Sequence, residues 1–214
     1  MAILDLTRKT LPKLSATGRE SIRHIKNIPE MRLYNAISNG DNSIVHVGMN
    51  ENAAVRITEK GINTIYTDAL NGCNAVGVIA KGLDRKPIAM LSHYTPLPVS
   101  LQKQLDTLQK QLQTYDYYID KSAKPTVFFN IRGHIKPQTK DELIYDTNPI
   151  IDGIRKVLSK FFPAGANEHI VPYPTFNTPP YFSNANIYQF DPADLNKLKV
   201  TTVGEKEHFV DLKY

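Results

Sequence analysis

An α+β fold, a mixed and mainly antiparallel sheet or sandwich flanked by two helices, is predicted by three features of this sequence. From Met31 to His93 the chain is cut into short apolar and β-rich runs separated by clusters of turn-forming residues. Two later segments carry apolar residues at helical spacing. The turn clusters between the β-rich runs stand at hairpin spacing, which makes the sheet largely antiparallel and, with the two helices, gives the α+β class.

Residues 1–30 are polar and basic, with a break at Ser15-Ala16-Thr17-Gly18, and read as a loosely packed leader; 31–214 reads as a single domain. Strands are expected at Met31 to Ile37, Ser43 to Gly48, Ala54 to Thr58 and Asn63 to Thr67. Turns are expected at Ser38 to Asn42 and Met49 to Asn52. Ala75 to Lys81 and Pro87 to His93 are two apolar runs around Gly82-Leu83-Asp84-Arg85-Lys86, the pattern of a hairpin. Leu101, Leu105, Leu108, Leu112 and Tyr115 recur at spacings of four, three, four and three, with Pro98 and Ser100 as a start signal and Lys121 to Pro125 as a stop. The glutamines of this helix suit a partner surface, but a helix packed on the sheet is the simpler reading. Thr126 to Ile131 reads as a buried strand. Asn148-Pro149 then opens a second helix through Ile150, Ile151, Ile154, Val157, Leu158 and Phe161. Beyond Pro163 a proline-rich aromatic loop runs from Val171 to Phe182, followed by strands at Asn186 to Phe190, Lys199 to Val203 and Glu207 to Leu212.

With 214 residues, 41% of them hydrophobic and 22% charged, the chain has the composition of an ordinary globular domain. Its net charge of +5 is spread out, without the dense aromatic-interleaved basic run of a nucleic-acid reader. A solvated basic surface of this kind suits an acidic protein partner. No stretch reaches the ~20 apolar residues of a membrane span. The first residues, Met1 to Lys9, lack the apolar region of a cleaved signal. The expected location is therefore a cytosol, either the protein's own or one reached by export without such a signal. His24, His46, His169 and His208 have no local acidic or thiol partner at metal spacing, and no glycine string cradles a phosphate, so neither metal nor cofactor is expected.

The chemistry concentrates around the single cysteine, Cys73, which cannot form an intramolecular disulfide and fits a reducing compartment. It follows Gly72 at the start of the first hairpin strand, and His93 closes the second. In an antiparallel hairpin these two ends lie side by side, so thiol and imidazole reach the same end of the sheet. A thiol nucleophile needs such a base, and the pairing predicts a depressed thiol pKa. Gly72, with Asn71, permits backbone geometry that turns amide N–H groups toward a developing oxyanion. A free cysteine is also commonly a small buried hydrophobe. His134, at the end of the strand after Asn130-Ile131-Arg132-Gly133, is either a surface histidine or a substrate contact. The loop containing Tyr173 either walls a groove or covers the core.

Thr67, six positions before Cys73, completes a pattern: Thr-x5-Cys, a glycine just before the cysteine and a histidine at the end of the following strand. It resembles the cysteine-dependent glutamine deamidases related to CheD, Burkholderia lethal factor and the catalytic domain of cytotoxic necrotizing factors. Leu70-Asn71-Gly72-Cys73 is similar to the Leu-Ser-Gly-Cys string of the lethal factor, with Asn71 in place of serine. The resemblance covers Thr64 to Pro96, and the Cys-to-His separation is longer here, with the extra residues in the Gly82 to Lys86 turn, where insertions are tolerated. It implies that 31–214 is a catalytic domain in which Cys73 attacks a glutamine carboxamide, His93 moves the proton and the Thr67 hydroxyl orients the imidazole. It also implies a toxin or secreted effector whose partner is a host protein carrying the target glutamine. Tyr94, Asn130, His134 and Tyr173 are the candidate substrate contacts. Other Cys-His chemistry remains open, as amide hydrolase, protease or transglutaminase, as does a non-catalytic interaction module with a silent thiol, in which Thr67 is simply a buried strand residue.

Overall fold

The computed structural model describes residues 29–68, 70, 72–135, 143–145, 148–174, 185–202 and 206–212. The expected α+β class is what it shows: two mixed, mostly antiparallel sheets face one another, with helices on their outer sides. One sheet has the order β1-β3-β9-β10-β11, built from β1 (Ile44–Val47), β3 (Thr64–Thr67), β9 (Asn186–Asp191), β10 (Asp194–Thr202) and β11 (Lys206–Asp211). Its β1–β3 pair is parallel and the others are antiparallel. The second sheet runs β2-β5-β4-β6-β7, from β2 (Glu51–Arg56), β5 (Pro87–Tyr94), β4 (Asn74–Lys81), β6 (Thr126–Ile135) and β7 (Leu143–Tyr145). The strand β8 (Asn167–Pro174) pairs parallel with the other edge of β6.

Side-chain alternation sorts the core into layers. On β4, Cys73 just ahead of the strand, then Ala75 and Ile79, face the first sheet, where they pack with Ile65, Tyr188, Phe190 and Val200. The intervening Val76, Val78 and Ala80 face the opposite way, onto Leu108, Leu112, Ile150, Ile151 and Ile154. Those residues belong to α2 (Pro98–Thr114) and α3 (Asn148–Phe161), the two helices expected from the apolar stripes. Two glutamines of α2 also turn inward. Gln104, 1% exposed, donates to Ser92 Oγ at 2.8 Å, and Gln111 donates to Asn52 Oδ1 at 3.0 Å, so the helix docks on the sheet through polar as well as apolar contacts.

One expected strand is a helix. Met31 to Ile37 lies within α1 (Pro29–Ser38), which packs Leu33 and Ile37 against Tyr66, Ala185 and Ile187 on the outer face of the first sheet. Local β-propensity lost to the i, i+4 spacing of Leu33 and Ile37, to a proline at the first helical position and to a closing turn at Gly40, whose φ is 89°. Two short strands escaped sequence reading. β7 is only three residues long. β8 occupies part of the stretch read as an aromatic loop; among the described residues it pairs on one side only, with β6, a position that accepts Pro172 and Pro174. The remainder of that loop, 175–184, lies outside the described residues, as do residues 1–28 of the expected leader. β2 begins at Glu51 rather than Ala54, because Asn50, at φ 63°, makes the turn and Glu51 and Asn52 already pair with His93 and Ser92.

Gly77 sits on the inner face of β4, two residues on from Ala75. A Cβ built there collides with the hydroxyl and ring of the fully buried Tyr188. Gly77→Ala is therefore expected to destabilise the domain by about 1–3 kcal/mol, through displacement of Tyr188 in a close-packed core. Chemical denaturation at constant pH measures it.

Candidate active site

The ladder between β4 and β5 sets Ala75 opposite His93 and Asn74 opposite Tyr94. Cys73, on the same face as Ala75, is thus the diagonal neighbour of His93, a relation that puts Cα atoms roughly 7–8 Å apart and side chains nearer. Both point into the space between the sheets. Gly72 precedes the cysteine with a φ of 92°, a left-handed conformation that a side chain would strain. Asn71 lies outside the described residues.

Across the sandwich, β3 supplies the partner. Thr67 shares the inward face with Ile65, and its Oγ1 lies 2.7 Å from His93 Nδ1; both residues are fully buried. The Nε2 atom of His93 is buried and has no hydrogen-bond partner among the described residues. The Thr67 hydroxyl is able to accept from Nδ1–H as well as to donate to a bare Nδ1; in the tautomer with the hydrogen on Nδ1, Nε2 presents a lone pair, the form required of a proton acceptor.

Burial dominates the electrostatics. It pushes the His93 pKa down to about 4, with the nearby Asp68 carboxylate opposing and His46 adding to the shift. It pushes the Cys73 thiol up from its ordinary value. The depressed thiol pKa expected from the sequence is therefore not what the surroundings produce. Both groups rest neutral, because desolvation penalises each charged form.

The other sequence candidates divide by strand parity. Asn130 on β6 stands opposite Ala75, so His93, Ala75 and Asn130 form one row across the inner face of the second sheet. Tyr94 is not brought there. One residue beyond His93, it points to the opposite face, is fully buried, and accepts a hydrogen bond from Asn52 Nδ2 at 3.2 Å. His134 pairs with Ile144, and Tyr173 pairs with Arg132 along β8.

Three polar residues went unassigned in the sequence reading. Asn186 pairs with Thr67, and Tyr188 follows two residues later on the same inward face. The Tyr188 hydroxyl accepts from Asn186 Nδ2 at 2.6 Å and from Asn130 Nδ2 at 3.4 Å. The alternation of Asn186 and Tyr188 within a predicted strand was the available signal for a shared face. Asp68, directly after Thr67, lies 3.0 Å from His46 Nε2. Parallel pairing of β1 with β3 brings these two together across a gap that local spacing does not reveal.

Among the described residues no group of three or more His, Cys, Asp or Glu side chains could hold a metal ion, and no helix is long and apolar enough to cross a membrane.

No protein-family model and no curated protein matches the chain. Among solved structures it is similar to the C-terminal domain of CNFy from Yersinia pseudotuberculosis, at 10% identity and a TM-score of 0.32. The match covers 77% of this chain and 62% of that one, so the chain spans less than two-thirds of that domain's length.

A histidine with a lowered folded-state pKa favours the folded protein fully above its unfolded value of 6.5, and that contribution fades as pH falls toward about 4. Stability is accordingly expected to fall across this window, and less steeply in His93→Leu, as read by denaturation midpoints. Cys73 alkylation is expected to accelerate only at pH above the ordinary thiol range, with no reactive thiolate plateau at neutral pH.

Proposed function

We propose that the protein is a cysteine-dependent deamidase of protein glutamine. The observation that carries this reading is the Thr67–His93 hydrogen bond across the sandwich, which leaves Nε2 free on the face where Cys73 enters β4. It joins the threonine and the histidine of the Thr-x5-Cys and histidine pattern, and the β4–β5 register sets the cysteine diagonal to that histidine.

In the proposed cycle His93 Nε2 takes the Cys73 proton as Sγ attacks the carboxamide carbon, forming the C–S bond. The carbonyl oxygen becomes an oxyanion facing backbone N–H groups around Gly72 and Cys73, with Asn71 adjoining them in sequence. Collapse breaks the C–N bond, and His93 returns its proton to the departing nitrogen, which leaves as ammonia. Water, deprotonated by His93, then attacks the thioester; the C–S bond breaks, the thiol is regenerated and glutamate remains. The neutral resting pair suits this route, since the proton moves only when the bond forms. Thr67 acts through His93 as a positioning residue.

The partner in this proposal is a host protein bearing the target glutamine, met in the host cytosol after export. Action within a bacterial cytoplasm is the alternative setting. The raised thiol pKa favours a second reading, in which Cys73 is a core side chain of a non-catalytic module.

A mass-spectrometric survey of a host-cell lysate treated with the protein separates the two. Gln-to-Glu conversion at defined sites, abolished by Cys73→Ser, is the expected result; a proteome unchanged by the protein leaves the non-catalytic module. Thr67→Val is expected to slow conversion about a hundredfold by releasing the imidazole from its working orientation, while Thr67→Ser keeps the hydroxyl and most of the rate.

A further inference from the structure

Two buried carbonyl oxygens on the inward faces of the sandwich accept no hydrogen bond among the described residues. Asn130 Oδ1 and Asn186 Oδ1 are both without a hydrogen-bond partner among the described residues, and their side chains are 1% and 0% exposed. A buried acceptor left without a donor costs stability, and native interiors rarely carry such groups without a use for them.

Their placement is ordered. Asn130 is in the row of His93 and Ala75 on one sheet, and Asn186 is the strand neighbour of Thr67 on the other. Tyr188 joins them: its hydroxyl accepts an N–H from each asparagine, which engages both amide nitrogens and sets the orientation of both carbonyl oxygens. Gly77 leaves the space that the Tyr188 ring and hydroxyl fill, so this link is built into the packing. Ala75, between His93 and Asn130, contributes only a methyl group.

We infer that Asn130 and Asn186 form an amide-reading site, their two oxygens accepting the two N–H bonds of a primary carboxamide presented to Cys73. The inference rests on Cys73 being the nucleophile of the reading above, and it adds the basis of specificity. A primary carboxamide is the acyl group with two N–H donors on its leaving nitrogen. An ester or a tertiary amide has none, and would leave both acceptors unpaired. A carboxylate product meets them with oxygens of its own, which favours its departure. Sites built to hydrogen-bond a substrate group discriminate strongly against analogues that lack it.

Alkylation of the one cysteine in the chain tests this without requiring turnover. The rates with chloroacetamide and N,N-dimethylchloroacetamide are measured by mass spectrometry, and their ratio is divided by the same ratio for glutathione. The unaltered protein is expected to favour chloroacetamide at least about tenfold beyond glutathione, and Asn130→Leu and Asn186→Leu are each expected to bring the preference down toward the glutathione value. A ratio equal to that of glutathione in the unaltered protein overturns the inference, and needs no variant to fold. A preference kept in full by folded leucine variants also overturns it, because size rather than hydrogen bonding then decides. The lysate survey keeps the two proposals apart: Cys73-dependent deamidation without the alkylation preference overturns the amide site alone. The preference without any deamidation supports the amide site and removes the reaction.

Discussion

The hydrogen bond between Thr67 and His93 is the interaction on which the site depends, because it is made between two sheets and not within one. A fully buried imidazole is costly to hold with a free ring nitrogen, and one satisfied nitrogen fixes the orientation of the ring. The bond requires β3 and β5 to face each other, and the apolar layer of Ile65, Leu91, Phe128 and Tyr188 holds them so. The same burial removes the charges that a thiolate–imidazolium pair would carry. A neutral couple is thus a direct consequence of where the sandwich buries it.

β4 organises the rest by its inward positions. Cys73 lies just ahead of the strand, Ala75 opens the row between His93 and Asn130, Gly77 yields to Tyr188, and Ile79 belongs wholly to the apolar core. Polarity therefore falls along one strand face from the cysteine end inward. The opposite face of β4 is apolar and receives the helices, which ties the position of the site to the docking of α2 and α3.

Legibility differed by element. The β4–β5 hairpin, α2 and α3 were readable because each carries its own periodicity and its own stop signals within one segment. Met31 to Ile37 was misread because aliphatic and aromatic residues suit either state, and packing against Tyr66 and Ile187 decided for helix. β8 was hidden by prolines that only an edge position accommodates. At the site, Cys73 and His93 stood out through spacing and residue type, and Thr67 through the resemblance to the deamidase pattern. Asn186 and Tyr188 did not, since which buried face a strand residue takes, and what lies across from it, depends on the pairing of distant strands.

Local periodicity and spacing suffice for the α+β class, for the hairpin that sets Cys73 diagonal to His93 and for a threonine six residues before the thiol. That Thr67 reaches the imidazole, that Tyr94 turns to the other face, that both members of the Cys–His pair rest neutral, and that Asn130 and Asn186 meet at Tyr188 are settled by the assembled fold. Those outcomes depend on which strands from distant parts of the chain face one another and on how much water their contact excludes, and neither is a property of any one segment.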